Sequence, residues 1–205
     1  TYWELEIEKS GDNGIEQILE MQKAEANAQF FKFVKNNYKD WINGEGAPLM
    51  SHNIVRRKIE PLMQTSKPTY MILIDNLRYD QWKVIEPSIS EYFIVDKEDM
   101  YTSILPTSTQ YSRNAIFAGL LPSEMQRRYP KMWKNDNDNG GKNMYEEEFL
   151  LHNLQMLGYS SAKISYTKIT NLDAGRKTVA KIPNMNSNVL NVIVYNFVDM
   201  LSHAR

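Results

Sequence analysis

Residues 70–74, Tyr-Met-Ile-Leu-Ile, form a run of strand-forming residues with no polar interruption, and the run stops abruptly at Asp75. So apolar a segment is expected to be a strand buried on both faces, where an ionised group is costly. A second run, Val-Leu-Asn-Val-Ile-Val-Tyr-Asn-Phe at 189–197, has the same character. Between them the hydrophobic period is mostly helical: about 78–92 with a break at Pro87, about 109–119, 144–157 ended by Gly158, and 171–180. A strand near 161–166 and β-rich pieces over 93–104 complete the pattern. Apolar strands separated by helices predict an α/β fold with a parallel sheet, whose ligands sit at the carboxyl ends of its strands.

Ahead of this pattern the chain reads as helical. Ile15, Ile18, Leu19, Gln22, Ala26, Phe30, Phe33 and Val34 fall near a 3.6 period over 14–42, and Asn43-Gly44-Glu45-Gly46 stops it. A shorter helix is expected from Ser51, as N-cap, to just before Pro61. The polar, Pro-bearing stretch Gln64–Pro68 separates the two styles, which predicts a helical domain over 1–66 and an α/β domain over 67–205. The patch at 135–141, Asn-Asp-Asn-Asp-Asn-Gly-Gly, is the one low-complexity segment and is read as a mobile loop. Phe30, Phe31, Phe33 and Trp41 exceed what one narrow core stripe needs; they either form an interface or pack on the α/β domain.

Bulk properties remove several function classes. The 205 residues carry 24 Lys plus Arg against 25 Asp plus Glu, so no global field favours nucleic acid or a membrane surface. An anionic ligand must be held locally. The chain has no Cys, which excludes disulfides, thiolate zinc sites and cysteine nucleophiles. No apolar run approaches the roughly 20 residues that span a bilayer, and the start has no signal-peptide pattern, so a cytoplasmic location is expected. The chain begins at Thr1 rather than Met and stops at Arg205 after a strand-and-turn pattern, and is expected to be part of a longer polypeptide.

Three stretches carry residues suited to chemistry. Asp75 ends a strand, and there it is either a metal- or phosphate-site group or an acid that caps the next helix. Leu77 stands where a haloacid-dehalogenase phosphatase would need its second Asp, which weakens an aspartyl nucleophile. In the second stretch, 104–122, Thr107-Ser108-Thr109 lie where a helix begins. Their hydroxyls either cap it or face a phosphate docked on free N–H groups, with one hydroxyl aimed at phosphorus. Arg113, four residues past Thr109, either pairs with a phosphate oxygen or is a surface arginine. In the third stretch, Asp199 and His203 are four apart just after a strand, a spacing that puts two ligands of one zinc ion on the same helical face.

Asp75, Thr109, Asp199 and His203 together form a coherent set. Zinc beside a threonine hydroxyl lowers its pKa, and two metals about 4 Å apart stabilise the attacking and leaving oxygens of phosphoryl transfer. A two-zinc site needs about six protein ligands, and the remaining ones are expected beyond Arg205.

The sequences "LIDNLRYDQW", "LPTSTQYSRNAIFAGLLPSEM" and "YNFVDMLSHAR", in that order, resemble the PglZ domain of the alkaline phosphatase superfamily. The helical preface is similar to the linker of PorX-like response regulators of type IX secretion, in which a receiver, a helical domain and a PglZ domain follow one another. This resemblance implies an alkaline-phosphatase-like sheet flanked by helices, after a small all-helical domain, truncated at both ends. Asp75 matches the first-strand metal ligand, and Thr109 matches the nucleophile that also sits on that zinc, with Thr107 as the fallback. Asp199 and His203 match the ligands of a second zinc. The implied activity is a zinc-dependent phosphodiesterase with two zinc ions per full-length chain, acting on oligonucleotide or cyclic phosphodiesters, the fragment alone being inactive. Implied partners are a sigma factor, a secretion-motor protein and, on phosphorylation, a second copy of the chain. The alternative is a catalytically silent docking module for those proteins.

Overall fold

The computed structural model describes Glu6, residues 13–196 and residues 198–200. His203 therefore lies outside the described residues. The chain is a mixed α/β protein that divides into two compact units, one of 1–47 with 77–99 and the other of 48–76 with 100–205.

The first unit contains a long helix, α1 (Asn13–Ile42), in the place its apolar period predicts. Glu16 in the first turn and Lys39 in the last complement the helix dipole. Phe30, Phe31 and Phe33 are 59, 64 and 53% exposed, whereas Trp41 is buried and meets the Phe33 ring edge-on at 5.3 Å. A further helix in this unit is α3 (Tyr79–Ser90). The expected break at Pro87 does not occur: the proline removes one backbone donor in the final turn, and the helix ends three residues later. The Lys83 ammonium pairs with Glu86 at 2.9 Å and Glu98 at 3.0 Å. At the start of α3 the Arg78 guanidinium holds the Asp80 carboxyl down at about 2.

The second unit holds a three-stranded parallel sheet, β1 (Thr69–Ile74), β2 (Ile164–Ile169) and β3 (Leu190–Tyr195), in the order β1-β3-β2. Thr69 and Ile164 both register with Leu190, so all three strands finish level, at Ile74, Ile169 and Tyr195. Helices α4 (Asn114–Ala118), α5 (Pro122–Arg128) and α6 (Glu146–Met156) follow, α4 packing on α6 and, through the Phe117 ring, on Tyr166 of β2 at 6.0 Å, while α7 (Leu172–Lys181) joins β2 to a 3-10 turn before β3. Phe117 of α4 and Phe149, Leu150 and Leu154 of α6 are almost wholly buried. At the lower end of β3, Asn191 is fully buried yet satisfied: its carbonyl accepts from Ser165 Oγ (2.7 Å) and Asn188 Nδ2 (2.8 Å), and its amide donates to the Met185 carbonyl (3.1 Å).

Several expectations are corrected by this arrangement. The strand buried on both faces is β3, not β1: β1 has a single neighbour among the described residues, and its Ile72 is 61% exposed. The strand expected near 161–166 is shifted to Ile164–Ile169, because 159–162 turn back on themselves through Ala162 N–H to the Tyr159 carbonyl (3.1 Å). Over 93–104 no strand forms among the described residues; the one pairing is a parallel bridge between Met50 and Thr102. Phe93 and Ile94 are 69 and 96% exposed, so their β-propensity finds no partner. Ser51 is not an N-cap, since its Oγ accepts the Ile104 N–H at 3.1 Å. Pro61 does not end a helix either; it occupies the first turn of α2 (Glu60–Met63), which continues directly from a π-helical turn over Val55–Ile59.

Candidate active site

The level carboxyl ends of the strands form the floor of the site. Asp75 N–H donates to the Tyr195 carbonyl (3.0 Å) and Asn196 N–H to the Ile169 carbonyl (2.8 Å), so the ladder continues one residue past each strand. Those two bonds fix Asp75 and Asn196 side by side. The Asn196 carbonyl then accepts the Met200 N–H at 3.2 Å, a turn that brings Asp199 back over the strand ends.

The opposite wall is the segment 107–110. Thr109–Arg113 form one wide π-helical turn that runs straight into α4, and Ser108, in extended conformation, precedes it. The Ser112 hydroxyl reaches back to the Thr107 carbonyl at 2.8 Å and ties down the loop bearing the three hydroxyls. Thr109 is half-buried, while Thr107 and Ser108 are exposed. Asp75, Thr107, Ser108, Thr109, Gln110, Lys142, Asn143, Asn196 and Asp199 line one cleft of about 380 Å³. Residues 75, 107, 109 and 199, read from three separate stretches of sequence, thus meet in one place.

Arg113 is not in the cleft wall and is not a surface arginine: it is 6% exposed beneath the site. Its guanidinium donates to Asp75 Oδ2, to Asn196 Oδ1 at 2.7 Å and to Glu146 Oε2 at 3.1 Å. Glu146, 1% exposed, also accepts from the Tyr166 hydroxyl (2.7 Å) and from Lys168 Nζ (3.0 Å). Arg113 and Lys168 face Asp75 and Glu146, so each of the two buried members, Arg113 and Glu146, has opposite charge beside it. Burial and the neighbouring Glu146 carboxylate push the Tyr166 hydroxyl far above its ordinary range, so it remains a donor.

Glu146, Tyr166 and Lys168 were missed in the sequence. Glu146 opens the run Glu146-Glu147-Glu148, which reads as a solvated acidic first turn, and Lys168 and Tyr166 look like ordinary alternation along a strand. A capping role for Asp75 finds no support, since the residue at the N-cap of α3 is Arg78.

Burial raises the Asp75 carboxyl above its ordinary value; Arg113 opposes the shift, and the Asp199 and Glu146 charges add to it. Two carboxylates facing one cleft, with a threonine hydroxyl beside them, have the donor chemistry of a site for a divalent cation. Among the described residues no three His, Asp or Glu side chains gather closely enough to complete such a site alone. His203, expected as a further ligand, falls outside them.

No helix among the described residues is long and apolar enough to cross a membrane. Comparison with known proteins adds two family matches. Residues 1–42 match the PorX response regulator linker domain. Residues 54–205 match the alkaline phosphatase-like PglZ domain of the BREX system. No curated protein matches the chain. The strand-end aspartate, the hydroxyl-bearing helix start and the second strand-end aspartate meeting in one cleft lie within the larger match, which covers well over half of the sequence, and the chain belongs to the PglZ family of alkaline phosphatase-like domains.

Proposed function

We propose that the chain is the effector portion of a type IX secretion response regulator, and that its PglZ domain is a zinc-dependent phosphodiesterase acting on oligonucleotide or cyclic phosphodiesters with Thr109 as nucleophile. The observation that carries this reading is the shared cleft of Asp75, Thr109 and Asp199. In domain terms, a helical linker over 1–66 leads into the phosphatase-like domain over 67–205; the family matches themselves cover 1–42 and 54–205. A cytoplasmic location belongs to the same proposal.

The oxygens of Asp75, Thr109 and Asp199 suit a divalent cation, and the His203 imidazole as a further donor would favour zinc; these residues would hold the metal, two ions per full-length chain, and it would lower the hydroxyl pKa and offset charge on the phosphoryl oxygens. Thr109 Oγ1 attacks phosphorus from the helix start and gives up its proton, while one ester oxygen leaves and takes a proton. Water then attacks the same phosphorus, restoring the Thr109 hydroxyl and freeing a phosphomonoester. Thr107, exposed at the rim, is the fallback nucleophile. Arg113 serves by holding Asp75 and the Thr109 turn together, through Asp75, Asn196 and Glu146, rather than by contacting phosphate from the cleft wall. In the full-length protein, Thr109→Val should abolish phosphodiester hydrolysis; retained turnover would refute Thr109 as nucleophile.

A second reading is favoured by the exposed Phe30, Phe31 and Phe33 on α1. They suit a docking face for a sigma factor, a secretion-motor protein or, on phosphorylation, a second copy of the chain. Replacing all three with Ser should weaken capture of such a partner without altering hydrolysis.

A further inference from the structure

The stretch 135–141, expected to be a mobile loop, is instead tied to itself and to the turn that carries Thr109. The Lys142 ammonium points inward and donates to three backbone carbonyls, those of Asn135, Asp136 (3.0 Å) and Asp138 (2.6 Å). Three N–H groups thus meet three acceptors, and the loop closes around its own lysine. The Asp138 carboxylate accepts the Asn135 N–H at 2.7 Å, and the Trp133 indole N–H donates to Asn135 Oδ1 at 2.9 Å. At its far end the Lys142 carbonyl accepts from Asn114 Nδ2 of α4 (3.0 Å), and the Asn143 carbonyl accepts from Lys168 Nζ (3.3 Å).

One side chain of this loop faces outward to the helix start. Asp136 accepts from both residues that follow Thr109: Oδ1 from Gln110 Nε2 and Oδ2 from the Tyr111 hydroxyl at 3.1 Å. The Tyr111 ring also packs on buried Trp133, with centroids 5.7 Å apart. Gln110 is itself 6% exposed and, with Lys142 and Asn143, lines the cleft. The backbone of this π turn is anchored at Ser108, whose carbonyl accepts the Tyr111 and Ser112 N–H groups, both at 3.0 Å. Asp136 holds the side chains of the first two residues after Thr109.

We infer that Asp136 is a positioning residue for the nucleophile, gripping Gln110 and Tyr111 so that the Thr109 hydroxyl is held at the cleft, and that Lys142 is the internal tie that presents Asp136. The inference rests on the phosphodiesterase reading of the cleft. Asp136 touches neither substrate nor reacting atoms. Its effect is on the orientation of Thr109, so its loss lowers the rate of the chemical step more than substrate affinity.

Two measurements on the full-length protein test this. With bis(p-nitrophenyl) phosphate and added zinc, Asp136→Ala should lower kcat about tenfold at nearly constant KM, and Asp136→Asn, which keeps an acceptor for Gln110, should recover most of the loss. Unchanged kcat in Asp136→Ala, or an equal loss in Asp136→Asn, overturns the proposal. Independently of activity, amide hydrogen exchange in Asp136→Ala and in Lys142→Met should quicken over 109–113 and stay unchanged over 146–156. Equal exchange in variant and parent over 109–113 overturns the coupling. Absence of hydrolysis by the parent protein defeats the phosphodiesterase reading instead, and the exchange measurement still decides the coupling.

Discussion

Arg113 and Glu146 form a buried ion pair, with Nε and Oε1 2.5 Å apart and the side chains 6 and 1% exposed. The pair joins the turn that carries Thr109 to the first residue of α6, and through Tyr166 and Lys168 to β2. Removing one partner of such a pair strands an uncompensated charge, so Glu146→Gln is expected to lower unfolding free energy by about 3–5 kcal/mol in urea denaturation. Adding Arg113→Met to that variant should cost much less than the sum of the single changes, because the stranded cation goes with it.

Gly119 ends α4 with φ +64°, and a Cβ built there would lie 2.5 Å from Asn153 Oδ1. Asn153 has little freedom to yield, since it is buried and its Nδ2 donates to the Phe117 carbonyl at 2.9 Å. The left-handed backbone alone costs a non-glycine residue about 1–2 kcal/mol, and the clash adds to it. Gly119→Ala should therefore lower the thermal midpoint clearly, whereas Gly158→Ala, at φ +92° with open space around it, should show only the smaller backbone cost.

The imidazole of His52 is half-buried, and among the described residues its Nδ1 has no hydrogen-bond partner. Burial lowers its pKa from 6.5; Glu124 opposes the shift and Arg57 assists it. Between the folded and unfolded values the unfolded chain binds more protons, so stability is full above pH 6.5 and is lost as pH falls below it toward the folded value. Urea midpoints measured from pH 7.5 to 5 should decline, and His52→Gln should remove that part of the decline. An identical pH profile in the variant would show that His52 does not contribute.

The sequence carried the sheet and the cleft more clearly than it carried their support. Strands 69–74 and 190–195 were legible because runs of β-branched and aliphatic residues, broken in the second only by Asn191, have few other uses, and Asp75 and Asp199 stood out as acids beyond their ends. Thr109 could be read from a helix start rich in hydroxyls. Arg113 could be placed on the same helical face but not underneath it, because burial of a guanidinium depends on carboxylates from distant segments, at 75 and 146. Glu146 was invisible inside an acidic run. The apolar residues 93–95 misled, since β-propensity acts only where a neighbouring strand accepts it, and at 94 the side chain is 96% exposed. The loop at 135–141 misled in the opposite direction: its composition suggested mobility, but a single lysine satisfies three of its carbonyls.

The central claim is that Thr109 forms a covalent bond to phosphorus in the cleft it shares with Asp75 and Asp199. Acid quenching of the zinc-loaded full-length protein during turnover of a phosphodiester, followed by mass spectrometry of its peptides, tests this directly. The expected result is an adduct on Thr109 that carries the phosphorus with its one retained ester group, absent from Thr109→Val. An adduct on Thr107 or any other residue, or sustained turnover by Thr109→Val, would contradict it.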